Sequence, residues 1–328
     1  MLRKSQLFGI LCLLVFNSNA QLSAENKRLL SGMEDSLKNL ALKTLTGQSA
    51  EIRFRNDSLF TRHLVKALKT PHSFYFPFDS VQHVSRLYAP DSSFRLFTWQ
   101  LVMSDNLTRQ HGAIQMKTGD GTLKLFPLID KSDVTDRQEY AEGSHLNWIG
   151  AVYYRIILTK SNNRPYYTLL GYDENNLKSN RKIIELLHFQ NEEPRFGERL
   201  FSFEEDKDFR NSQSRYIMEY RKNAGARLTY DDDLGMIIFE HLISESGESN
   251  KKWTYIPDGD YEGFRWKHGK WVHVDKVFDQ IIPLGQEPVP LPVKDAQGKT
   301  IEENLKNNLP AEPPATGKKP DIQGGGRD

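Results

Sequence analysis

Chemistry in this chain is most nearly suggested by Asp258-Gly259-Asp260-Tyr261-Glu262-Gly263. Oxygen donors at alternate positions, followed by glycine for a sharp turn, suit a hard cation such as calcium. The loop pattern then breaks. Its twelfth position is Gly269, where a bidentate carboxylate is required, and Glu262 is unusual at the fifth. The preferred reading is an acidic loop leading into the last hairpin, with calcium binding by Asp258, Asp260 and Glu262 left open. Asp173-Glu174-Asn175-Asn176 and Asp231-Asp232-Asp233-Leu234-Gly235 also cluster oxygen donors. Both lie between strand-like runs and read as turns, because Asp and Asn side chains bond nearby backbone and tolerate left-handed geometry.

Nine histidines (63, 72, 83, 111, 145, 188, 241, 268 and 273) are scattered and match no zinc spacing. They read as structural or surface residues. The chain contains no G-x-S-x-G elbow, no Walker loop and no G-x-G-x-x-G. Glycoside hydrolysis needs only two carboxylates across a cleft, and 43 acidic residues leave that route open without pointing to it. Tyr153, Tyr154, Tyr166 and Tyr167 could stack on sugars, but paired aromatics on adjacent strands more often fill a core. No catalytic residue, cofactor or metal is assigned.

Two amphipathic helices open the mature chain. Leu30, Met33, Leu37, Leu40 and Thr44 recur at helical spacing over Ser23 to Leu45, with Ser23 as N-cap and Gly47 as stop. A second helix spans roughly Asp57 to Lys69, with Phe60, Leu64, Ala67 and Leu68 on one side and Pro71 ending it. From Phe74 the period falls to two. Strand-like runs cover 94–101, 113–117, 123–129, 151–159, 166–172, 182–189, 215–221, 226–230, 236–243, 263–267 and 270–274. The final hairpin turns at His268-Gly269, which sets Trp266 opposite Trp271 and Phe264 opposite His273. The expected fold is mainly β: N-terminal helices (21–71) packed on a large antiparallel meander (72–283), sandwich or barrel-like. Similar openings at Gly112 and Gly150 keep a small β-propeller as the alternative. Arg95, Arg155, Glu185 and Glu219 within the strands argue against a transmembrane barrel.

Residues 1–20 read as a secretory signal peptide. Arg3 and Lys4 precede the apolar run Leu7 to Phe16, and Ser18-Asn19-Ala20 supplies small residues before a cut between Ala20 and Gln21. That run is too short to span a bilayer, which takes about 20 residues. Cys12 sits within it and would be discarded, so the mature chain has no disulfide, thiolate metal site or cysteine nucleophile. Losing Arg3 and Lys4 leaves 42 basic against 43 acidic side chains. Without a basic footprint or a polybasic cluster, neither a nucleic-acid partner nor an anionic membrane surface is expected. The end of the chain, 284–328, is read as a disordered tail. Its stretch from Gln286 to Asp328 holds seven prolines, a Gly324-Gly325-Gly326 run and no aromatic residue.

The segments Phe76-Pro77-Phe78-Asp79-Ser80, Phe94-Arg95-Leu96-Phe97-Thr98-Trp99, Gly150-Ala151-Val152-Tyr153-Tyr154 and Tyr167-Thr168-Leu169-Leu170-Gly171-Tyr172-Asp173 resemble a group of secreted proteins of Bacteroidota-type bacteria. The resemblance covers most of residues 70 to 275. It implies export and carries no catalytic residues. The functional expectation is an exported, periplasmic or secreted protein with a non-enzymatic binding or envelope-associated role, acting on an unknown envelope or extracellular partner. The alternative is a hydrolase of glycans or peptides that uses loop carboxylates.

Overall fold

The computed structural model describes residues 22–104, 107–203 and 212–278. The signal peptide, the Ala20/Gln21 cut, Cys12 and the tail 284–328 lie outside the described residues. Helices α1 (Ala24–Thr46) and α2 (Ala50–Leu68) come first. Ser23 caps α1 by accepting the Asn26 N–H through its hydroxyl, and Ser49 does the same for Ile52. The second helix therefore begins at Ala50, about two turns before the Asp57 start expected from the sequence. Its first residues are polar or, like Phe54, exposed, so they carry no period. No described helix is long and apolar enough to cross a membrane.

The rest is mainly β, divided into three open sheets among the described residues. The first runs β1 (Ser85–Tyr88), β2 (Phe94–Ser104), β3 (Leu107–Met116) and β4 (Lys124–Ile129), all antiparallel. The second takes β5 (Gly143–Ser144), β6 (Val152–Ser161), β7 (Arg164–Asp173), β8 (Ser179–Gln190) and β9 (Glu193–Phe196) in the order β5-β9-β8-β7-β6. The third orders β10 (Phe201–Ser202), β12 (Leu228–Asp231), β13 (Met236–Ser244), β14 (Tyr255–Lys267) and β15 (Lys270–Val274) as β10-β15-β14-β13-β12. Strand β11 (Arg215–Arg221) pairs with the first half of β8, on the same side as β9. Among the described residues the strand pairings are antiparallel apart from the two-residue β10–β15 ladder, and an isolated parallel bridge joins Asp130 to Trp148.

The apolar side chains show how the sheets stack. Leu30, Leu37, Phe60 and Leu64 of the helices share one core with Phe97 and Trp99 of β2. Phe94 and Leu96, on the other face of β2, share a second core with Tyr153, Tyr167, Leu169, Ile183 and Leu187. Leu170, Ile184 and Leu186, on the opposite face of that middle sheet, join Phe239, Phe264 and Trp271 in a third. The order is helices, first sheet, middle sheet, third sheet. A middle sheet covered on both faces explains the uninterrupted burial from Ile183 to His188 on β8, where a half-wetted strand would alternate. The final hairpin obeys the sequence reading. His268 and Gly269 both take positive φ, and Trp266 faces Trp271 while Phe264 faces His273.

Candidate functional site

Three buried polar constellations shape the molecule before any surface site is reached. Arg95 of β2 is almost fully buried and donates to Gln115 Oε1 (2.8 Å), Ser73 O (2.8 Å) and Phe76 O (2.5 Å). The rings of Phe74, Phe78, Tyr88 and Phe97 surround its guanidinium. Burial pulls its pKa down to about 10, which still leaves it charged at neutral pH. Asp57 of α2 accepts from Trp99 Nε1 (2.7 Å) and meets His111 Nδ1, tying the helical layer to β2 and β3. In the middle sheet Glu185 of β8 and Arg215 of β11 are cross-strand partners, both wholly buried, with Arg215 Nε donating at 2.8 Å. Tyr153 donates its hydroxyl to Glu185 and receives the Trp148 indole N–H (2.8 Å). Burial and the Glu185 charge push the Tyr153 hydroxyl well above its ordinary pKa.

The ion pair also fixes a loop. Arg215 Nη1 donates to the carbonyls of Ala141 (2.7 Å) and Gln138, while the backbone N–H groups of Ser214 and Arg215 bond Glu139 O. Residues 135–139 are thereby held as one wall of a polar groove of about 420 Å³. The middle sheet supplies Arg181 and Glu219, and the third sheet supplies His241, Tyr255 and Glu262. Burial raises the hydroxyl of Tyr216 in the lining, and the Glu262 charge adds to that. A second hollow of about 230 Å³ shares Gln138 and Arg181 with the first and continues to Asp130, Asp173 and Arg109.

Four acids of the groove and its continuation, Glu219, Glu262, Asp130 and Asp173, have hydrogen-bond partners. Glu219 accepts from Ser179 Oγ (2.6 Å), Arg181 Nε (3.1 Å) and Asn175 Nδ2 (3.4 Å). Glu262 meets His273 Nε2 at 2.7 Å. Asp130 receives the backbone N–H groups of Gln110, Ser132 and Gly150, together with the Ser132 hydroxyl. Asp173 accepts from Gln110 Nε2 (3.0 Å) and Asn175 N (2.9 Å). Burial nonetheless raises the Asp173 carboxyl above its ordinary pKa, and the nearby Asp130 charge acts in the same direction.

The structure places the sequence candidates as follows. Asp258 and Glu262 come together around His241, whose Nδ1 is 2.8 Å from Asp258 Oδ2 and whose Nε2 is 3.6 Å from Glu262 Oε1. Asp260 stays outside this contact and donates its backbone N–H to Asp258. Asp231 accepts the N–H groups of Asp233 and Leu234 as a turn former, and Asp232 pairs with Arg155. Asp173 ends β7 and accepts the N–H of Asn175 in the turn that follows, and both line the second hollow. Tyr153, Tyr166 and Tyr167 are core, while Tyr154 is partly exposed and donates to Leu228 O. Arg181, Gln138 and Asp130 were not singled out by the sequence. They converge from three separate segments, and no local pattern announces them. No protein-family model, curated protein or solved structure matches this chain.

Proposed function

We propose that the chain is an exported, periplasmic or secreted binding module without catalytic activity, whose ligand site is the polar groove centred on Arg181. The observation that carries this reading is that Glu219 and Glu262, the carboxylates that the middle and third sheets bring to the larger hollow, both already have hydrogen-bond partners. A general acid or base must be able to reach substrate with its proton-transferring oxygen, and both Glu219 oxygens and Glu262 Oε2 are held by Ser179, Asn175, Arg181 and His273. A ligand rich in hydroxyls or charges can instead exchange water for the groove's fixed donors and acceptors. Export rests on the signal-like first twenty residues and agrees with the resemblance to secreted proteins.

Calorimetry with solubilised envelope glycans and peptides tests the site. Saturable binding that Arg181→Ala weakens at least tenfold is expected. Binding that Arg181→Ala leaves unchanged would remove the groove from the reading. The hydrolase alternative has one specific observation in its favour. Asp173 and Asp130 are neighbouring carboxyls with unequal surroundings, and the raised pKa of Asp173 is what a general acid would need. Its signature would be product formation abolished by Asp173→Asn.

A further inference from the structure

A third polar hollow, of about 360 Å³, lies where β8 and β9 meet residues 142–147. His188 and Arg195 are direct partners on the β8–β9 ladder and both line it. His188 is only 4% exposed, yet its Nδ1 has no hydrogen-bond partner among the described residues. The nearest acid, Glu198 Oε2, is 3.7 Å away, beyond hydrogen-bonding distance. Arg195 Nε is likewise buried and without a hydrogen-bond partner. A buried polar atom left unmet costs roughly 1–3 kcal/mol, so orphaned nitrogens on two residues that line one hollow mark a place that gains from an incoming hydrogen-bond partner, an acceptor in the case of Arg195.

The opposite charge is present as well. Glu198 and Glu142 line the same hollow. Burial raises the Glu198 carboxyl above its ordinary pKa and repulsion from Glu142 adds to it, while Arg164, also in the lining, opposes the shift without cancelling it. Glu142 Oε1 lies 3.8 Å from Arg199 Nε, with both side chains more than half exposed. The two acids gain from an incoming cation, as the two nitrogens gain from a hydrogen-bond partner. A sugar could offer hydroxyls to both sets, but sugar sites are commonly paved with an aromatic ring, and among the described lining residues the imidazole of His188 is the only ring. We propose that this hollow binds the zwitterionic head of a free α-amino acid, its carboxylate toward Arg195 and His188 and its ammonium toward Glu198 and Glu142.

The test is a titration of the full chain, carrying ¹⁵N-labelled histidine, with L-alanine, L-glutamate and L-lysine at pH 7, followed by NMR. The His188 signals are assigned from their loss in His188→Gln. At least one of the three amino acids is expected to shift them saturably. N-acetylation or amidation of that amino acid should weaken binding at least tenfold, as should Arg195→Gln or Glu198→Gln. The Arg195 and Glu198 side chains are 43% and 35% exposed, so these variants should keep the wild-type melting temperature, and either one alone suffices as the test. The proposal is overturned by no saturable shift with any of the three. It is equally overturned by unchanged affinity in a variant that melts like wild type, or by glucose or the N-acetyl form binding as tightly as the free amino acid.

Discussion

Glu185 and Arg215 form the costliest contact to disturb, because neither charge has water to fall back on. Glu185→Ala should destabilise the protein by about 3–5 kcal/mol in urea unfolding, since it strands a buried guanidinium. Replacing both partners together, as Glu185→Leu with Arg215→Met, should cost clearly less than the single change. The histidine that titrates abnormally gives a second test. Burial, reinforced by Arg164 and Arg195, lowers the His188 pKa to about 4. An unfolded histidine takes its proton near 6.5. Between those values the unfolded state binds more protons, so stability should fall as pH drops from about 6.5 to 4. His188→Gln should flatten that part of the curve, as measured by thermal melting across the range. These residue-scale features were poorly legible in the sequence. Glu185 sits in an apolar run as an apparent blemish, and its partner lies 30 positions away.

Elements were far easier to read than their partners. Ser23 as a cap, the helical stripe of Leu30 and Leu37, and the Trp266/Trp271 register all follow from local rules and recur in the structure. The period of two marks a strand, but it does not say which sheet the strand joins. The expected mainly β body with helices packed on it is present, but the meander, expected as sandwich or barrel-like, divides into three stacked open sheets. Short strands such as β1 and β9, four residues each, are too brief to show a period. The tie between layers is specific. Asp57→Ala would leave the Trp99 indole N–H buried without its acceptor, costing about 1–3 kcal/mol. Hydrogen exchange should then speed up in α2 before it does in β8. At the last turn, Gly269 has φ +78° and an added Cβ would come within 2.5 Å of Ser161 Oγ. Gly269→Val should accordingly lower the melting temperature, whereas His268→Asn, which suits positive φ, should not.

At the scale of the whole molecule, three open sheets and a helical pair build a layered body whose ligand-accessible polar surfaces lie along sheet margins and loops. The central groove draws on segments around residues 130, 138, 173, 181, 219, 241 and 262. That convergence comes from stacking, which sequence spacing does not encode, and it turns scattered acids into one site with assigned hydrogen bonds. It also separates the two functional readings by one experiment. The full chain is incubated for a day with solubilised envelope glycans and peptides, while new reducing ends and free amines are followed by chromatography. A binding module should release neither above the buffer control, even at ligand concentrations that saturate the groove in calorimetry. Product that accumulates with time and disappears in Asp173→Asn would contradict the account.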